Sequence, residues 1–165
     1  MPKKAWLDYH TEYLPSRRDD AVHCDFDANR NIWINLARTL HEGFFVPGYT
    51  VGDVGYFLSK ERQPFQTKNF QVLVSAYVEF ENDYFKYYAD GMVADAEVEE
   101  SQRIKFGSFY IAGLCYCGMV DSQHTCHINL EGKVFSKIVP EFKLILDLTS
   151  SSVESSDSDD DVMES

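Results

Sequence analysis

A chain of 165 residues with 15 Lys and Arg against 27 Asp and Glu carries a formal net charge of −12 and has room for one domain with a real core. That balance lacks the basic footprint of a nucleic-acid binder and disfavours an anionic membrane surface, so neither is expected as a direct partner. Aromatic residues make up 15% of the chain, which favours strands and large contact surfaces.

The N-terminal residues show no charged start, apolar run and small-residue cleavage site in succession, so no secretory signal is read there. The longest apolar run, Phe109 to Val120, is short and interrupted by glycine. The expected location is nuclear or cytoplasmic, with the nucleus favoured. In either place the four cysteines are expected as thiols or metal ligands rather than as disulfides.

Residues 1–21 mix Lys3, Lys4, Arg17 and Arg18 with prolines and aromatics and show no sustained period, so they read as an irregular arm. Residues 22–148 read as a single, mainly β domain. Val22, Cys24 and Phe26 alternate with polar residues ahead of a turn-like Asp27–Asn31, which suggests a hairpin into Ile32, Ile34 and Leu36. Ile32, Leu36 and Leu40 also lie four apart, with Asn29 or Asn31 as a cap and Gly43 as a stop, and on that spacing a helix over 31–42 is preferred.

Gly43 to Gly55 is rich in turn residues. The strongest periodic signal is Phe70, Val72, Val74, Ala76, Val78 and Phe80, which predicts one strand with a buried face. Tyr84 to Ala89 reads as a further strand, and Ile104 to Gly118 as one long strand with glycines at bulges. His124 to Val139 reads as a hairpin, followed by a last strand over Glu141 to Leu148. The fold class is therefore mainly β, a sandwich or barrel of about six to eight short antiparallel strands. One helix packs against it, and a disordered acidic tail follows at 149–165.

Cys115, Cys117, His124 and Cys126 fall close together. If Cys117 pairs with His124 across a hairpin, Cys115 pairs with Cys126, and all four face one side. That set is the candidate tetrahedral zinc site, although the CxxC knuckle that usually gathers such ligands is missing. The alternative is that the cysteines are small buried apolar residues, and zinc is the one cofactor the sequence suggests.

The C-terminal segment holds six of the acids and no Lys or Arg. It follows Ile145, Leu146, Asp147, Leu148 and Thr149, and this order of two aliphatics, an acid, a third aliphatic and then serines and acids resembles a phospho-regulated SUMO-interacting motif. The resemblance implies that Ile145, Leu146, Asp147 and Leu148 add a strand to SUMO's sheet while the acids meet basic residues at its rim. Ser151, Ser156 and Ser158, each with an acid three positions on, suit acid-directed kinases. The sequence shows no catalytic constellation. The functional expectation is a non-enzymatic adaptor that binds SUMO or SUMO-modified proteins. The alternative is a zinc-stabilised β module that binds another, unidentified protein while the tail stays passive.

Overall fold

The structure, a computed structural model, describes residues 3–13 and 20–149. The acidic tail expected to be disordered, with Ser151, Ser156 and Ser158, lies outside the described residues, as do Arg17 and Arg18.

The first sheet is built from β1 (Ala5–Asp8), β2 (His23–Asp27), β3 (Ile32–His41), β4 (Phe44–Val51), β5 (Val54–Leu58), β6 (Pro64–Thr67) and β7 (Gln71–Val74). Its order is β1-β7-β3-β4-β5-β6, with β2 beside β3. The second contains β8 (Val78–Glu81), β9 (Lys105–Ile111), β10 (Leu114–Val120), β11 (Thr125–Leu130), β12 (Lys133–Ile138) and β13 (Lys143–Asp147). Its order is β12-β11-β10-β9-β13-β8. A single helical turn, α1 (Tyr84–Tyr87), follows β8. The mainly antiparallel β class with one short helix is as the sequence suggests, with more and shorter strands than expected.

Read from β1 and from β8, the two sheets have the same strand order, so the chain is a structural duplication. Equivalent pairings recur position by position. Ala21 bridges Val74 as Gly91 bridges Leu146. Val22 N–H donates to Leu73 O and Leu36 N–H to Val22 O, as Met92 N–H donates to Ile145 O and Phe106 N–H to Met92 O. The β3–β4 turn at Glu42 and Gly43 (φ 54° and 100°) matches the β9–β10 turn at Ala112 and Gly113 (φ 51° and 89°). Left-handed backbone at both turn residues gives the twist that closes a two-residue hairpin.

Each departure from the sequence expectation has a local cause. Residues 32–41 form β3 rather than a helix: the hairpin pattern prevails because Glu42–Gly43 closes a tight turn and Ile34 and Leu36 alternate into the core. The run from Phe70 to Phe80 is two strands, since Ser75 (φ 57°) turns the chain from β7 in one sheet into β8 in the other. Likewise Ile104 to Gly118 splits at Ala112–Gly113 into β9 and β10. Tyr84 to Ala89 is helical rather than extended, with a 3-10 turn at Tyr88–Asp90 after α1. Part of the irregular arm is ordered: β1 pairs with β7 from Ala5↔Val74 to Asp8↔Gln71.

The main core joins both halves, with Ile34, Leu36, Tyr49 and Leu73 packed in one cluster with Phe106, Ile128, Leu144 and Ile145. Tyr49 O–H donates to Asn129 O at 2.7 Å, and Asn129 Nδ2 donates to Phe57 O and Phe65 O. These bonds satisfy buried polar groups across the two sheets.

Candidate functional site in two equivalent clefts

The duplication produces a matching pair of clefts. The first, of about 560 Å³, has Asp8, Arg38, Leu40, Phe45, Phe70 and Gln71 in its lining. The second, of about 360 Å³, has Asn82, Ser108, Tyr110, Cys115, Phe142 and Lys143 at the equivalent places. Each cleft is completed by the opposite half. Asp95 Oδ2 accepts Phe45 N–H at 3.1 Å in the first, and Asp25 Oδ2 accepts Cys115 N–H at 2.8 Å in the second. The reciprocal carboxylates lock the halves together as self-complementary patches lock a two-fold dimer.

Side-chain chemistry separates the clefts. Arg38 lies between the rings of Phe45 at 3.8 Å and Trp6 at 4.6 Å. Its Nε donates to Gln71 Oε1 and its Nη1 to Ala94 O. Burial lowers its pKa to about 10, and Asp95 opposes that shift. In the second cleft the equivalent residue is Ser108, whose Oγ is buried beside the Cys115 thiol. Burial pushes the neighbouring Cys115 thiol up, and Ser108 and Lys143 only partly oppose it. Leu40 and Tyr110, two residues before the equivalent turns, stand exposed at the lips, at 62% and 58%.

The structure does not gather Cys115, Cys117, His124 and Cys126. Cys117 lies opposite Ser108 on β9, and the β10–β11 register sets Val120 against Cys126, so Cys126 and Cys117 fall on opposite faces of the pleat. Cys117 forms a disulfide with Cys24, against the expectation of free thiols or ligands, because the halves bring β2 onto β10. Cys115 and Cys126 remain free and buried, and burial raises the Cys126 thiol pKa well above its usual value. His124 Nδ1 hydrogen-bonds Tyr84 Oη at 2.9 Å, with Tyr84, Phe85 and Tyr88 edge-on to its ring. Among the described residues no group of three or more His, Cys, Asp or Glu is placed to hold a metal ion.

Ile145, Leu146 and Asp147 belong to β13, an interior strand of the second sheet. β13 pairs with β8 from Leu144↔Glu81 to Asp147↔Val78, and with β9 through Lys143↔Ser108 and Leu144↔Gly107. Beyond that Met92 N–H takes Ile145 O, so the second edge is also occupied. Ile145 and Leu146 are buried, and Asp147 pairs with Lys4 Nζ at 2.8 Å. Leu148 N–H donates to Tyr77 O, and Tyr77 N–H to Thr149 Oγ1. Adding this segment to another protein's sheet would require β13 to leave its own.

No protein-family model and no curated protein matches the chain. Among solved structures it is similar to the crystal structure of the nematode sperm cell motility protein MFP2B, with a TM-score of 0.63 at 12% sequence identity. The match covers 89% of this chain and 46% of that one, so the chain spans less than half of that neighbour's length. At this identity the likeness concerns the fold alone. Among the described residues no helix is long and apolar enough to cross a membrane.

Proposed function

We propose that the chain is a non-enzymatic adaptor, a rigid duplicated β scaffold that binds other proteins at its two equivalent clefts. The observation that carries this reading is the pairing of Leu40 with Tyr110. Two large apolar side chains are held in water at equivalent lips, each beside a cleft with polar groups in its lining. Exposed apolar anchors next to groups able to fix orientation are what protein recognition uses. MFP2B is described as a motility protein, and a scaffold role agrees with that description.

Recognition of SUMO through Ile145, Leu146, Asp147 and Leu148, tightened by phosphate on Ser151, Ser156 or Ser158, is the competing adaptor reading. It requires withdrawal of an interior strand. The nuclear location that accompanies it favours a reduced Cys24–Cys117 pair in the cell.

Peptide display on the full chain, followed by affinity measurement on Leu40→Ala and Tyr110→Ala variants, tests the cleft reading. Selected peptides should lose about tenfold or more in affinity to at least one variant, consistent with loss of an apolar anchor. Peptides that bind both variants as tightly as the wild type would overturn it. A parallel titration with SUMO, read by amide shifts, should leave the β13 amides unmoved, and saturable shifts along β13 would favour the competing reading.

A further inference from the structure

A third cleft, of about 560 Å³, lies between the β5–β6 loop, the stretch 100–105 and the β10–β11 turn. Lys60, Arg62, Arg103 and Lys105 line it together with Glu100 and Asp121. Asp121 is already committed, since its Oδ2 pairs with His127 Nε2 at 2.8 Å. None of the four cations forms an ion pair among the described residues. Lys105 is half-buried over the ring of Tyr88, and burial lowers its pKa with Glu100 in opposition, so this cation is incompletely compensated.

The fold does not demand these charges. The duplication places an equivalent cleft of about 450 Å³ in the first half, where Trp33 and Asn35 stand at the positions of Arg103 and Lys105. There His23 stacks on Trp33 at 3.9 Å and hydrogen-bonds Asn35, with no Lys or Arg among the described residues of the lining. The basic character of one member of the pair therefore calls for a reason other than folding. Four cations in a chain of net charge −12 form a local anion site within an acidic molecule.

The strand that leads into the strongest anion of the sequence runs beside this cleft. Leu146, at the end of β13, bridges Gly91 in the cleft wall, and Val93 bridges Lys105. Two strand spacings, about 10 Å, separate the end of β13 from Lys105. Residues 150–165 carry Glu154, Asp157, Asp159, Asp160, Asp161 and Glu164, with no Lys or Arg. At about 3.3 Å per residue that segment reaches roughly 50 Å, enough to return to the cleft.

We propose that the basic cleft is the docking surface for the chain's own Ser- and Asp-rich segment 150–165. Its cations meet carboxylates at effective concentrations that a linker of this length sets near the millimolar range. Phosphate on Ser151, Ser156 or Ser158 adds about −1.5 to −2 charges each and strengthens the contact. An external acidic segment must displace the internal one.

Zero-length carbodiimide coupling of the full chain, with the products mapped by mass spectrometry, tests the proposal. Lys60 and Lys105 should couple to carboxylates in 157–164 within the monomer. That coupling should fall at least fivefold in 1 M salt and in the Arg62→Glu/Arg103→Glu variant, where screening or reversal removes the attraction. Tail coupling as frequent at Lys68 and Lys133 as at Lys60 and Lys105, or unchanged by the double substitution, would overturn it. So would coupling confined to cross-linked dimers, which would make the contact one between copies. A second variant, Asp157→Asn/Asp159→Asn/Asp160→Asn/Asp161→Asn, leaves every residue of both sheets in place. It should shift the amides of Gly91, Arg103 and Lys105, and an unchanged spectrum at those amides equally defeats the proposal.

Discussion

The two halves share one backbone plan and differ in what they place on it. At equivalent positions one cleft holds Arg38 between Phe45 and Trp6, while the other holds the small, buried Ser108 beside Cys115. Near the outer ends one half presents Trp33 and Asn35 where the other presents Arg103 and Lys105. What is retained is geometry that the backbone enforces, namely the turn residues, the close strand approaches and the reciprocal carboxylate caps. What diverges is the surface a ligand would meet. A duplicated scaffold thus separates residues that make the fold from residues free to acquire a partner.

The sharpest way to break this comparison lies in the glycines. A Cβ on Gly48 would meet Tyr56 O, and one on Gly118 would meet His127 O, both backbone atoms that cannot step aside. Gly48→Ala and Gly118→Ala should each cost about 4 kcal/mol or more in denaturant unfolding. A benign result at either position would show that the two close approaches are not equivalent. Leu73→Ala and Ile145→Ala, at matching buried sites, should each cost about 3 kcal/mol. A much cheaper Ile145 would favour the reading of that segment as a separable motif.

Asymmetry should appear next with the disulfide. Cys24 and Cys117 are bonded, whereas Ala94 and Pro47 hold the equivalent places in the opposite contact. Removing the bond in a Cys24→Ser/Cys117→Ser variant should lower stability by about 3 kcal/mol, the middle of the range usual for a native disulfide. Thermal unfolding with and without reductant reads the same difference, and identical curves would show that the bond adds nothing to the packing of the halves.

Acid sensitivity offers a smaller contrast. Asp121 and Asp147, both from the second half, have lowered pKa values. Burial works the other way, but His127 with the Thr125 and Gln123 amides outweighs it at Asp121, and Lys4 with Thr149 does so at Asp147. In the first half Asp27 is lowered chiefly by its bond to Arg30. A carboxylate with a depressed native pKa contributes stability fully above its unfolded value and loses it as pH falls through the folded one. The melting temperature should therefore fall below about pH 4, and Asp147→Asn should flatten part of that fall. A profile unaltered by that substitution would place the acid sensitivity elsewhere. The smallest effect belongs to the lips: Leu40→Ala and Tyr110→Ala should change stability by less than about 0.5 kcal/mol.

Much of the fold was legible along the chain because strand alternation and turn residues are local signals. The duplication was not read from the sequence, where it leaves only a pair of weak echoes. Phe70-Gln71-Val72-Leu73-Val74 answers Phe142-Lys143-Leu144-Ile145-Leu146, and Gly43 with Gly48 answers Gly113 with Gly118 at the same spacing. The zinc set and the tail motif share one basis, spacing along the chain. Spacing shows which residues are near along the strand, whereas face and register depend on which strand lies alongside. One residue of register moves a cysteine to the opposite face, and the order Ile145-Leu146-Asp147-Leu148 suits an interior strand as well as a donated one.

By itself the sequence determined the β class, the hairpin turn at Gly132 and the concentration of acid after Thr149, because each depends on residues adjacent in the chain. Only the tertiary structure decided that β2 reaches β10 to join Cys24 with Cys117, and that Asp25 and Asp95 cap each other's halves. It also decided that β13 is enclosed on both edges. Those contacts join residues far apart in sequence, and no local preference encodes them. They follow from the apolar faces of two like sheets finding burial against each other.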